Sequence, residues 1–188
     1  MFERSVVAVK QYFARVGLGH VFAGVQRISV VRTESYHDVR NRTIGLNPAD
    51  ARRPFSAMRS RHYLLIHELG HHFAEVWLTR AERRSVASLF GNYDAPYRRA
   101  PKPKRADSHH VSRYSMTHPA EDFAETFAVC LWSDWEPAAV RHLLCGKSRL
   151  CARKIAAVRR LVRAHSRGRN RAGTASFPPA VRGRIIDT

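Results

Sequence analysis

Acidic residues are scarce in this chain: 15 Asp and Glu stand against 33 Lys and Arg in 188 residues, a formal net charge of +18. Between Glu136 and Asp187 there is none at all. Such a balance says nothing about fold, but it disfavours cationic partners and favours anionic ones. Cysteine is rare too. Three cysteines with no Cys-x-x-Cys pair build neither a disulfide framework nor a cysteine-based structural metal site. Cys130 sits in an apolar helical phrase and reads as core. Cys145 and Cys151 flank a short Gly-Lys-Ser-Arg-Leu link and would pair only if oxidised; reduced thiols are the expectation. No apolar run approaches the roughly 20 residues needed to cross a membrane. Lys10, Arg15 and His20 interrupt the valine-rich stretches 6–9 and 16–25, leaving no clean signal-peptide core or cleavage site. The default expectation is therefore the cytoplasm, non-classical export leaving no mark in a sequence. No internal repeat is visible, and nothing matches a base-reading module such as a helix-turn-helix.

What is present suffices for one compact unit. With 44% hydrophobic residues, 188 residues can bury a substantial core in a single domain. The patterning predicts an α+β, mainly helical chain. Residues 3–16 read as an amphipathic helix and 25–31 as a strand. A second strand is expected at 43–46, separated from the first by a polar, arginine-containing turn. Asn47-Pro48-Ala49-Asp50 marks a stop before a long helix at about 57–79, and residues 81–90 continue as another. Residues 91–112 carry Pro96, Pro101 and Pro103 among Arg98, Arg99, Lys102, Lys104 and Arg105, a basic, proline-studded loop. Helices at about 119–132, 135–145 and 149–166 follow, and the tail from Gly168 reads as irregular.

Chemistry enters with His67-Glu68-Leu69-Gly70-His71. On a helix, residues four apart share a face, so both histidines can point at one cation. Two imidazoles at that spacing suit Zn²⁺, and Glu68 stands where it can serve as general base towards water. Leu65, Ile66, Leu69, Phe73, Val76 and Trp77 recur at three- and four-residue intervals around the motif. Polar groups within so apolar a helix are costly to bury without a partner, and a metal supplies one.

A second helix offers the remaining ligand. In Tyr114-Ser115-Met116-Thr117-His118-Pro119-Ala120-Glu121-Asp122-Phe123-Ala124-Glu125, Pro119 suits the first helical position and acidic residues fill the first turn. Glu121 and Glu125 share one face, and spacing alone allows either to complete a two-histidine, one-glutamate zinc site with its fourth position open. His118 is expected to cap this helix, and His72 to pack or to support the site. His109 and His110 read as solvated. The metzincin arrangement is excluded, since it needs Gly and His three and six residues after the motif, where Ala74 and Trp77 stand.

His-Glu-x-x-His, a tyrosine, and Glu-x-x-x-Glu within "HPAEDFAE" resemble the gluzincin metallopeptidases, and within them the lethal-factor-like and zinc-binding peptidase branches. Tyr114 lies seven residues before Glu121, as in the lethal-factor-like pattern. The resemblance covers about residues 55–135. The domain expected is zincin-like over residues 1–166, with a basic, flexible tail at 167–188 that the resemblance does not reach. The resemblance implies one zinc ion held by His67, His71 and Glu121, Glu68 as general base, and Tyr114 as a donor to the oxyanion. Glu125 would orient a ligand histidine. The implied reaction is peptide-bond hydrolysis of a protein or peptide substrate. By the same analogy an edge strand, from residues 43–46 or 25–31, would pair with the substrate backbone.

The charge points to a second class. At 149–166 the helical spacing gathers Arg149, Arg153, Arg160 and Arg163 into a stripe, with Leu150, Ile155, Val158, Leu161 and Val162 opposite. Such a stripe is a footprint for nucleic acid or an acidic protein, contacted without base reading. The alternative to an enzyme is thus a binding protein whose metal site is structural or silent. Glu68 and Tyr114 argue against it, because a structural site needs neither.

Overall fold

The computed structural model describes residues 2–52, 57–97 and 107–171, with side chains as far as residue 166. The chain is mainly helical, with one small sheet. In order come α1 (Glu3–Arg15), α2 (Gly19–Ala23), β1 (Arg27–Val30), β2 (Tyr36–Asp38), β3 (Thr43–Leu46) and α3 (Arg61–His72). Then follow α4 (Arg80–Phe90), α5 (Pro119–Trp132), α6 (Pro137–Leu144) and α7 (Arg149–Arg171).

α5 is the central element. From Glu121 to Trp132 every residue is buried, as expected of a helix surrounded by others. Against it lies α3, whose Leu65, Ile66 and Leu69 are fully buried. Gly70 sets how closely the two helices approach: a side chain there would meet Ala124 Cα and Phe127 Cδ1 at 3.1 Å. A π-helical turn, Phe73–Trp77, extends α3 and stacks Phe73 on Phe127, ring centroids 5.1 Å apart. α1 closes one side, its Tyr12 hydroxyl donating to the Leu131 carbonyl of α5 at 2.8 Å. α7 closes another. Its buried Lys154 ammonium lies 2.5 Å from the carboxylate of Asp122, tying it to the first turn of α5.

The sheet has strand order β1-β3-β2. β1 and β3 run parallel, Arg27 opposite Thr43 and Val30 opposite Leu46. β2 pairs antiparallel with β3, placing Tyr36 opposite Gly45. The Tyr36 ring lies where a side chain at position 45 would be, so only glycine fits.

Several expectations need correction. The connection from β1 to β3 is more than a turn, because it contains β2. β3 is the central strand, both of its edges already paired, so it cannot offer an edge to a substrate. The motif helix begins at Arg61, not near 57: Ser60 before it is extended (φ −149°, ψ 143°), and the Ala57 N–H donates to Glu125 at 2.9 Å. α2 is a single short turn, below the length at which periodicity shows. α7 runs to Arg171, past both the expected end at 166 and Gly168. Residues 98–106 of the basic loop fall outside the described residues, as do residues 172–188 of the tail.

Candidate metal centre

α3 presents His67 and His71 on the face turned towards α5, whose first two turns carry Glu121 and Glu125. The start of α5 is built locally. Pro119 occupies the first turn, and His118 accepts a hydrogen bond from the Ala120 N–H through Nδ1 at 3.1 Å. The other ring nitrogen, Nε2, donates to the Ala95 carbonyl at 2.7 Å. Both nitrogens of His118 are thereby engaged in capping and in holding a loop.

Three donor atoms converge. The Nε2 atoms of His67 and His71 lie 3.1 and 3.2 Å from Oε2 of Glu121, and 3.3 Å from each other. Tetrahedral ligands about 2.0–2.1 Å from zinc stand about 3.3 Å apart, so the triangle has the dimensions of three corners of such a shell. Two imidazoles and one carboxylate, without cysteine, form a donor set typical of catalytic zinc. Among the described residues this is the one such group of three.

Glu125 stands one turn further along and touches the cluster from behind. Its Oε1 lies 3.1 Å from Nδ1 of His67, and its Oε2 accepts from the Ala57 N–H. An Nδ1–H donated to Glu125 leaves the Nε2 lone pair of His67 facing the cluster. Tyr97, which no sequence signal singled out, donates its hydroxyl to the other oxygen of Glu121, Oε1, at 2.9 Å. Its ring stacks on His118, centroids 4.0 Å apart and nearly parallel. Tyr97 lies in the loop at 91–112, just before its run of basic residues, where no periodicity could have drawn attention to it.

A cleft of about 280 Å³ opens over the cluster. Glu68 and Tyr114 line it together with His67, His71 and Glu121, and β2 forms its rim through Tyr36 and His37. Tyr114 belongs to a short 3-10 turn braced by a reciprocal pair of serines, in which Ser115 Oγ donates to the Ser112 carbonyl at 2.7 Å. Its ring lies 5.7 Å from that of His67. β2 is held to the metal helix by His37, whose Nε2 is 2.9 Å from Nδ1 of the fully buried His72. The strand beside the cleft is therefore β2, not either segment expected to supply that edge.

The electrostatics are tightly coupled. Burial opposes charge on His67, but its hydrogen bonds to Glu121 and Glu125 outweigh this and hold its pKa well above the ordinary value. His71 is raised in the same way, burial being outweighed by Glu121. Burial would lift Glu121, yet the two histidines hold it well below the usual carboxylate range. Glu68 is different: burial raises its pKa, and the neighbouring His67 and His71 only partly offset that. Burial, helped by His37 and Arg42, pushes His72 down to about 3, so that ring is neutral at physiological pH.

The four stripe arginines lie apart from this centre. Arg149, Arg153, Arg160 and Arg163 are all exposed on α7. His110 is not simply solvated: its Nδ1 pairs with Asp107 at 2.7 Å. Cys145 is exposed, Cys130 and Cys151 are buried, and all three thiols are free. No described helix is long and apolar enough to cross a membrane.

No curated protein and no solved structure matches the chain. Residues 58–142 match a family described as "Putative zinc-binding metallo-peptidase". That stretch runs from just before α3 into α6 and contains every residue of the donor cluster. The match and the cluster together support a zinc-binding metallopeptidase.

Proposed function

We propose that the chain is a zinc-dependent peptidase that hydrolyses peptide bonds in the cleft above α3 and α5. The carrying observation is the convergence of two Nε2 atoms and Oε2 at 3.1–3.3 Å, with Glu68 and Tyr114 lining the same cleft. His67, His71 and Glu121 would hold the ion, with Glu125 fixing the His67 ring and Tyr97 steadying Glu121. Bound there, zinc supplies Lewis acidity and lowers the pKa of a coordinated water towards neutrality.

The chain's own groups account for the proton movements. Glu68, its basicity raised by burial, accepts a proton at its carboxylate as the water oxygen attacks the scissile carbonyl carbon. The Tyr114 hydroxyl donates a hydrogen bond to the oxygen that becomes negatively charged. Glu68 then returns the proton to the amide nitrogen, the C–N bond breaks, and a carboxylate and an amine leave. An extended substrate is held as a further strand along β2, whose outer edge carries no strand among the described residues.

Replacing Glu68 by Gln tests the assignment. Hydrolysis of an unfolded polypeptide should fall by about 10²–10⁴-fold, the range of a lost general base. Zinc content should stay unchanged. Full activity in Glu68→Gln would remove Glu68 from the mechanism.

A further inference from the structure

We infer that the outward face of α7 is a docking surface for the phosphodiester backbone of duplex nucleic acid, bound without sequence preference. This inference is independent of the hydrolytic reading.

The orientation of α7 is fixed by its inner face. Cys151, Ile155 and Val158 are buried against the core, Lys154 is paired with Asp122, and Ser166 donates to the Val16 carbonyl at 2.8 Å. What remains outside is uniform in chemistry. From 149 to 164 every exposed residue is arginine or alanine. At 100° per residue, Arg149, Arg153, Arg160 and Arg163 fall within an arc of about 80°, spread over about 21 Å of helix. Among the described residues none of the four makes an ion pair.

Solvation alone does not account for this face. A helix surface that only needs to be wet interleaves signs, because opposite charges three or four apart stabilise it and like charges destabilise it. Here Arg149 and Arg153, Arg159 and Arg163, and Arg160 and Arg163 are like-charged neighbours. The first turn holds no acidic residue to meet the helix dipole, and Arg149 stands there instead. Each of these local costs is relieved by a polyanion.

The dimensions suit a duplex. About 21 Å matches roughly six base-pair steps along the duplex axis, and guanidinium forks match phosphate oxygens in pairs. Alanines between the arginines keep the face flat enough for a backbone to lie close. It offers no aromatic ring on which unpaired bases could stack and no Asn or Gln to read base edges, so neither single strands nor a particular sequence is favoured.

The test uses the full chain and a fluorescent 20-base-pair DNA duplex, with binding followed by anisotropy from 50 to 200 mM NaCl. Four neutralised phosphates give a slope of about −3.6 in log K against log salt, or about a hundredfold weakening over that range. Arg153→Gln with Arg160→Gln should bring the slope to about −1.8 and the weakening to about tenfold, without lowering the melting temperature. An RNA duplex of equal length bound with a similar slope would identify the shared backbone as the ligand. The inference is overturned if the wild type fails to bind at 50 mM NaCl, or if the double variant keeps the full slope. Tighter binding to phosphatidylserine vesicles than to either duplex would also overturn it, making the face a membrane contact.

Discussion

At the scale of single residues, the two glutamates of α5 differ in which atoms they approach, a choice that their spacing left open. Glu121 faces both Nε2 atoms through one oxygen, whereas Glu125 approaches His67 from behind, at Nδ1. Glu125→Gln should therefore weaken zinc binding by about 10–100-fold, the usual effect of losing a partner behind a ligand, without abolishing it. Titration against a zinc-competing chelator measures this; complete loss of the metal would mean that Glu125 is itself a ligand. Tyr97→Phe removes the bond to Oε1 of Glu121 and should likewise lower affinity, by about tenfold, while leaving the fold intact. The thiols give a further check. Burial pushes Cys130 up to about 12 and raises Cys151 as well, while Cys145 is exposed. A thiol reagent at pH 8 should modify Cys145 alone in the native chain and all three after denaturation.

At the scale of elements, the site exists because α3 and α5 can come close enough. Gly70→Ala places a methyl group against Ala124 and the Phe127 ring, and overpacking of this kind costs about 1–3 kcal/mol. Denaturant unfolding should show that loss, accompanied by weaker zinc binding as the two helices part. α5 and α3 were legible in sequence because their signals are strong: Pro119 and acidic residues at one start, three- and four-residue apolar spacing along the other. β2 was not legible. Three residues, Tyr36-His37-Asp38, give too little alternation, and the following Val39-Arg40-Asn41-Arg42 reads as turn. The parallel pairing of β1 with β3 was equally hidden, because strand order is decided by packing rather than by any one segment. Helical spacing put His67 and His71 on one face and Glu121 and Glu125 on another, leaving open which glutamate joins the cluster; Tyr97 left no such mark, since a loop brings it to Glu121.

At the scale of the whole molecule, a strongly basic chain forms a hydrophobic frame of helices that holds, among the described residues, a buried histidine–glutamate cluster and a buried Asp122–Lys154 pair. The Asp122–Lys154 pair joins the site helix to α7, and removing one partner leaves an uncompensated buried charge. Lys154→Met should destabilise the fold by about 3–5 kcal/mol, whereas Lys154→Met with Asp122→Leu should recover much of it. Thermal unfolding of the two variants decides this. A bound ion would stabilise the native chain as any ligand does, by about 4 kcal/mol at a thousandfold excess over its dissociation constant, so chelation should lower the melting temperature. The most direct test of the central claim is elemental analysis for zinc on the purified wild type and on Glu121→Ala. One zinc per wild-type chain is expected, and its loss from Glu121→Ala. A wild-type chain that holds no zinc after reconstitution would contradict that claim.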